Sequence, residues 1–167
     1  MMTLPRRKRQ GKPREFAPRA TRGGTTNSVR RVTQREGGIA GCYFDDVKVG
    51  DEFRSANLAL TEADIINFAL KYDPQSFHVD REAASRSFYS GIIASGWKTC
   101  VLAHRLYVDL VPWGDNNMGS PGMGEFRLPR PVHPGDAIRV VVTVLEARPS
   151  ASRPACGVVT QELEVLN

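Results

Sequence analysis

The chain has 167 residues, 41% hydrophobic and 8% aromatic, which suits one soluble globular domain with a real core rather than two. No run approaches the roughly 18 apolar residues of a membrane helix, and the N-terminus lacks the apolar stretch of a secretory signal. The three cysteines, Cys42, Cys100 and Cys156, are odd in number and have no C-x-x-C spacing, which argues against a disulfide framework or a zinc site and points to buried thiols in a reducing compartment.

The net charge of +5 is unevenly spread: residues 1–38 hold eleven Lys or Arg and two Glu, for +9, whereas residues 39–167 carry −4. Residues 1–38, rich in Arg, Gly, Pro and Thr without an apolar period, are expected to be a disordered basic arm. Three readings of the arm stay open: a passive tail or a start codon placed too early, an organelle presequence, and a contact with nucleic acid or another anionic surface. Phe16 is its only aromatic residue, so nucleic acid is not the expected partner.

The folded domain, 39–167, begins near "CYFDDVKVGDEF", and a strand is expected over 52–60. "LTEADIINFALKYD" reads as a short amphipathic helix capped by Thr61, with Asp64 at the capping-box position and Ile65, Phe68, Ala69 and Tyr72 on its buried face. Pro74 stops it, which puts Asp73 at the helix exit and His78 in the extended loop that follows. "IIASGWKTCVLAHRLYVDLV" is the most apolar stretch and suits one buried helix over about 95–111. Ser95 is placed to cap it, and Gly96 lies at its first turn, where backbone N–H groups have no internal partner and a glycine allows a ligand close. Strands are expected at about 122–130, 136–147 and 156–166, with "HPGD" (133–136) a type II turn. In the last strand Val159, Leu163 and Val165 alternate with Thr160, Glu162 and Glu164, giving one buried face and one wet face. The order predicts an α+β domain in which an antiparallel sheet wraps one long helix.

"YFDDVKVGDEF", "DPQSFHVD", "GIIASGWKT" and "RPVHPGDAIRVVVTVLEARPS" together resemble the MaoC-like dehydratase family of hotdog folds, the family of R-specific enoyl-CoA hydratases, over about residues 42–166. The resemblance implies a hotdog domain and a hydro-lyase that interconverts a trans-2-enoyl-CoA and an (R)-3-hydroxyacyl-CoA. It implies Asp73 and His78 as the catalytic pair and the Gly96 backbone N–H as the donor to the thioester oxygen. Gln75, Ser95 and Trp97 are expected to contact substrate. Gln75 and Ser76 stand where an asparagine and a proline are typical, and Trp97 where hydratases often carry methionine or leucine. Family members usually continue into one more strand, so the domain is expected to lack its last strand and to leave 156–166 with an unpaired outer edge. The implied assembly is a homodimer joined edge to edge, in the cytoplasm or, through the arm, in an organelle.

The chemistry fits those residues. Hydrating an enoyl thioester needs a base to activate water, an acid to protonate C2, and donors for the thioester oxygen. One carboxylate and one imidazole can share a single water, and an apolar pocket is expected to raise the Asp73 pKa. No metal and no cofactor are expected beyond the coenzyme A of the substrate. His104 and His133 read as structural. Arg127 and Arg130 read either as contacts to coenzyme A phosphates or as solvated charges. The rival reading is a non-catalytic hotdog protein that binds acyl-CoA or serves as a structural subunit of a dehydratase.

Overall fold

The computed structural model describes residues 1–7, 41–111 and 113–167; what was expected of the rest of the basic arm lies outside them. The strands are β1 (Met2–Pro5), β2 (Glu52–Arg54), β3 (Leu58–Ala59), β4 (Ala137–Pro149) and β5 (Cys156–Leu166), and the helices α1 (Glu62–Tyr72), α2 (Ser76–Val79), α3 (Arg81–Ser85) and α4 (Gly96–Leu110). The strand order is β1-β5-β4-β2, with β3 also paired to β4. This is the expected α+β hotdog arrangement of an antiparallel sheet with one long helix.

The chain divides into two compact units. One comprises Phe53–Val111, Gly122–Thr143 and Glu162–Asn167. Its core joins Leu60, Ile65, Ala84, Ile92, Ala94, Ala103, Leu106, Val132, Ile138 and Val140. Helix α4 enters that core through Ala103 and Leu106, with Thr99 buried four residues before Ala103 on the same face. Helix α1 starts as expected: the Thr61 hydroxyl accepts the Asp64 N–H at 3.2 Å. It buries Ile65 and Ala69 but leaves Tyr72 62% exposed, because the residue falls in the last turn, next to the exit at Asp73. The His133–Asp136 turn also forms, with the Asp136 N–H on the His133 carbonyl at 3.1 Å and Gly135 at φ +91°.

Three expectations for this unit fail. The strand over 52–60 is broken into β2 and β3: the Ser55 N–H bonds the Val140 carbonyl while its hydroxyl takes the Val140 N–H. No strand forms at 122–130. Pro121 and Pro131 flank that segment and Pro129 lies within it, and proline cannot donate to a ladder. Leu163 and Val165 are 40% and 36% exposed, so the alternation in β5 does not mark a buried face there.

The second unit comprises the described parts of Met1–Glu52, Pro112–Pro121 and Val144–Gln161. It holds the main correction to the sequence reading. Residues 2–5 of the expected disordered arm are a strand, antiparallel to β5 in the register Met2↔Val159 to Pro5↔Cys156. On its other side the Thr3 N–H reaches the Gly119 carbonyl and the Met118 N–H reaches the Thr3 carbonyl. Met2 is 4% exposed and Leu4 fully buried, the period-2 pattern of a half-buried strand. Arg6 and Arg7 then pair with Asp45 and Asp46 at 3.1 and 3.0 Å. The outer edge of β5 is therefore occupied along 156–159, and the expectation of a bare edge fails there. Phe44 packs so closely on Gly157 that any Cβ at 157 would overlap its ring. Of the cysteines, Cys156 is buried as expected, while Cys42 and Cys100 are half-buried.

Candidate active site

All of the side chains that converge on Asp73 belong to the unit built around α4. Helix α1 delivers Asp73 as its C-cap, with the Asp73 N–H on the Ala69 carbonyl at 2.8 Å. Pro74 prevents a further turn, and the Gln75 N–H returns to the Asp73 carbonyl at 2.8 Å. The chain then makes the single turn α2 instead of the expected extended loop, with the His78 N–H on the Gln75 carbonyl at 2.9 Å. That turn swings the imidazole inward, where His78 is 3% exposed and meets the Phe77 ring edge-on at 4.5 Å. The loop leading to α4 is bonded to the same turn, through the Ile93 N–H to the Phe77 carbonyl.

The His78 Nδ1 lies 2.7 Å from the Ile93 carbonyl oxygen. A carbonyl only accepts, so Nδ1 carries the proton, and Nε2 is left to face the site. Nε2 stands 3.4 Å from Asp73 Oδ2. The Asp73 carboxylate has two donors: the Gln75 Nε2 on Oδ1 at 2.8 Å and the Ser95 hydroxyl on Oδ2 at 2.6 Å. These hold its pKa below the ordinary carboxylate value, Ser95 most and Gln75 next, against the opposing effect of burial, with a smaller contribution from His78. The expectation of a raised pKa is thus overturned. The carboxylate sits among donors and is 18% exposed, so hydrogen bonding to the charged form outweighs desolvation.

The structure therefore brings together Asp73, Gln75, His78 and Ser95. Ser95 is fully buried with its hydroxyl on Asp73, and it also caps α4, accepting the Trp97 N–H at 3.3 Å. Gly96 is the first residue of α4, and a Cβ there would overlap Leu128 Cδ1. Trp97 is 63% exposed and stacks on Phe126 at 6.1 Å. His104 stacks on Tyr107, and the His133 N–H binds Asp136; neither joins the site. Arg127 pairs with Glu125 at 2.7 Å. Sequence reasoning missed Phe126 and Leu128, because the segment was read as a regular strand, and the Ile93 carbonyl, because a backbone acceptor leaves no mark in residue identity. Among the described residues, no three His, Cys, Asp or Glu side chains gather as a metal site, and no helix is long and apolar enough to cross a membrane. A cavity of about 220 Å³ lined by Asn57, Ala137, Arg139, Leu166 and Asn167 shares no residue with the Asp73 cluster.

Residues 46–166 match the profile of the MaoC like domain. The uncharacterized protein YdeM of Bacillus subtilis (strain 168) is 33% identical over 124 residues, which cover 74% of this chain and 86% of that protein. The crystal structure of a MaoC-like dehydratase from Rhodospirillum rubrum superposes with a TM-score of 0.71 at 40% identity, covering 76% of this chain and 86% of that one. An (R)-hydratase from A. caviae involved in PHA biosynthesis shares the fold, with a TM-score of 0.52 at 23% identity, covering 71% of this chain and 84% of that one.

Proposed function

From the premise that this chain belongs to the MaoC-like domain family, we propose that it is a hydro-lyase that interconverts trans-2-enoyl-CoA and (R)-3-hydroxyacyl-CoA. The observation that carries this reading is the pairing of a buried imidazole with an ionised carboxylate, Nε2 to Oδ2 at 3.4 Å. With Nδ1 protonated by its bond to the Ile93 carbonyl, a neutral His78 offers a lone pair at Nε2, and Asp73 offers a second acceptor beside it. Two acceptors at that distance suit one water donating a hydrogen to each.

In the hydration direction, Nε2 takes a proton from that water as its oxygen bonds to C3 of the enoyl thioester. The electron pair of the C2=C3 bond shifts toward the thioester carbonyl, to whose oxygen the Gly96 N–H donates at the N-terminus of α4. The imidazolium, steadied by Asp73, then returns the proton to C2, so that one water is added across the double bond. A carboxylate held at low pKa is a poor proton carrier and a good partner for an imidazolium. The roles are therefore divided: His78 moves the proton, and Asp73 orients water and stabilises the charge. Gln75 and Ser95 act on Asp73, and Trp97 with Phe126 borders the approach to Gly96. Arg130 is exposed, and Arg127 and Arg130 are proposed to meet the coenzyme A phosphates.

The proposed assembly is a homodimer. It is supported by the exposed apolar side chains Trp97, Val101 and Val108 along α4, and by Phe126 and Leu128 beside its start, which a second copy would cover. The three cysteines are free, which supports a reducing compartment such as the cytoplasm.

The deciding experiment is loss of the ultraviolet absorbance of the conjugated thioester on mixing the purified protein with crotonyl-CoA, with chiral analysis of the product. Turnover to the (R)-3-hydroxy product is expected. Binding of crotonyl-CoA without turnover would favour the non-catalytic hotdog reading.

A further inference from the structure

We infer that Ser95 is a positioning residue whose single hydroxyl ties the Asp73 carboxylate to the first turn of α4, so that the carboxylate and the Gly96 amide are held in one frame. The inference rests on the hydratase reading for its catalytic consequence, but the tie itself is geometric. The Ser95 Oγ donates to Asp73 Oδ2 at 2.6 Å and accepts the Trp97 N–H at 3.3 Å. The Ser95 carbonyl takes the Thr99 N–H at 3.1 Å and the Thr99 hydroxyl at 3.4 Å, so the backbone of the cap is fixed as well. Asp73 lies 22 residues earlier, at the end of a different helix.

A plain helix cap needs only an acceptor, and an aspartate or asparagine oxygen would serve as well as a serine. A carboxylate neighbour needs a donor. A hydroxyl is a compact group that does both with one atom, whereas an ionised aspartate at 95 would repel Asp73. The residue is fully buried, so its hydroxyl is committed to these two partners. Of the other charged groups nearby, His78 faces Asp73 from α2 at 3.4 Å. Lys98 of α4 turns away to the Phe68 ring at 5.4 Å, and Lys71 of α1 lies over Tyr72 at 5.0 Å. Ser95, Gln75 and His78 therefore hold the carboxylate, and Ser95 alone of the three is built into α4. If the proton moves on His78, the state of Asp73 decides whether the imidazolium is stabilised, and Ser95 sets how far into acid that state survives.

The test uses the full chain with Ser95→Ala, Ser95→Gly and Ser95→Thr. Glycine serves nearly as well as serine at a helix cap while removing the hydroxyl, so a folded hydroxyl-free variant is available even if alanine fails. The Asp73 carboxyl is titrated by carbon-13 NMR, assigned by its loss in Asp73→Asn, and the pH profile of crotonyl-CoA hydration is recorded in parallel. Without the hydroxyl, the Asp73 titration is expected to move up toward the ordinary aspartate range, and the acidic limb of kcat to move with it. Turnover at neutral pH should fall roughly 10-fold, in line with one hydrogen bond to a charged group, while KM changes by less than about 2-fold. Threonine should restore the titration and the limb. An Asp73 titration unchanged in folded Ser95→Gly overturns the inference and leaves Ser95 as a cap only. The NMR titration is read whether or not the protein turns over crotonyl-CoA. An inactive wild type with a Ser95-dependent Asp73 therefore overturns the hydratase reading and retains the tie.

Discussion

The roles assigned to His78 and Asp73 predict different consequences of replacing them. Asp73→Asn and His78→Ala should each lower turnover of crotonyl-CoA by at least about 100-fold, the scale of general acid–base catalysis, while the circular dichroism spectrum is retained. Gly96→Ala puts a methyl group where Leu128 Cδ1 now lies. The overlap is with the far end of the Leu128 side chain alone, which can rotate, so the thermal midpoint should move by less than about 2 °C, under roughly 1 kcal/mol for a chain this size. The methyl group crowds the amide, and kcat/KM should fall roughly 10-fold, the scale of losing much of one donor to the developing oxyanion. Asp73 also carries a pH signature in stability. Its folded pKa lies below the ordinary 3.8, so the folded state binds protons less readily than the unfolded chain. The resulting stabilisation is fully present above the unfolded value and is lost as pH falls through the lower folded value. A plot of thermal midpoint against pH should therefore fall less steeply across the acidic range in Asp73→Asn than in the wild type. The pair of residues that anchor this site was legible in the sequence, because Asp73 is forced to the helix exit by Pro74. Its electrostatics was not, since the donors that set the charge on Asp73 include Ser95, and nothing in the linear order says that a residue 22 positions on returns to hydrogen-bond distance.

At the level of elements, legibility followed length and periodicity. Helices α1 and α4 and strands β4 and β5 run for 11 to 15 residues and show their pattern over several repeats, so their bounds were read to within about two residues, the largest offset at a strand end being the two-residue later end of β4. Strand β1 has four residues followed at once by "RRKR", and its two inward positions, Met2 and Leu4, are too few to register as a period. Only the ladder to β5 reveals it. The segment 122–130 misled in the opposite direction: its alternating apolar residues suggest a strand, but the flanking prolines and glycines leave it without a ladder. The consequence for stability is direct. Leu4→Ala removes a fully buried side chain and should cost about 3 kcal/mol, lowering the thermal midpoint by roughly 6–12 °C in differential scanning calorimetry. Arg6→Ala should lower it by no more than about 2–4 °C, because an exposed ion pair contributes at most about 1 kcal/mol.

For the molecule as a whole, the apolar side chains exposed on α4 and beside it predict self-association. Sedimentation should show a dimer at micromolar concentration, and Val101→Glu with Val108→Glu should shift it to monomer without loss of helix content. The fastening of β1 has a different kind of consequence. Its four residues pair with β5 on one edge, Thr3 bonds Met118 and Gly119 on the other, and Arg6 and Arg7 clasp Asp45 and Asp46. The covalent path from residue 7 to residue 41 is thus duplicated by a non-covalent one. A single protease cut anywhere between those positions should yield two polypeptides that travel together on gel filtration under native conditions. They should separate only in denaturant, and a synthetic peptide of residues 1–7 should rebind a chain that has lost them.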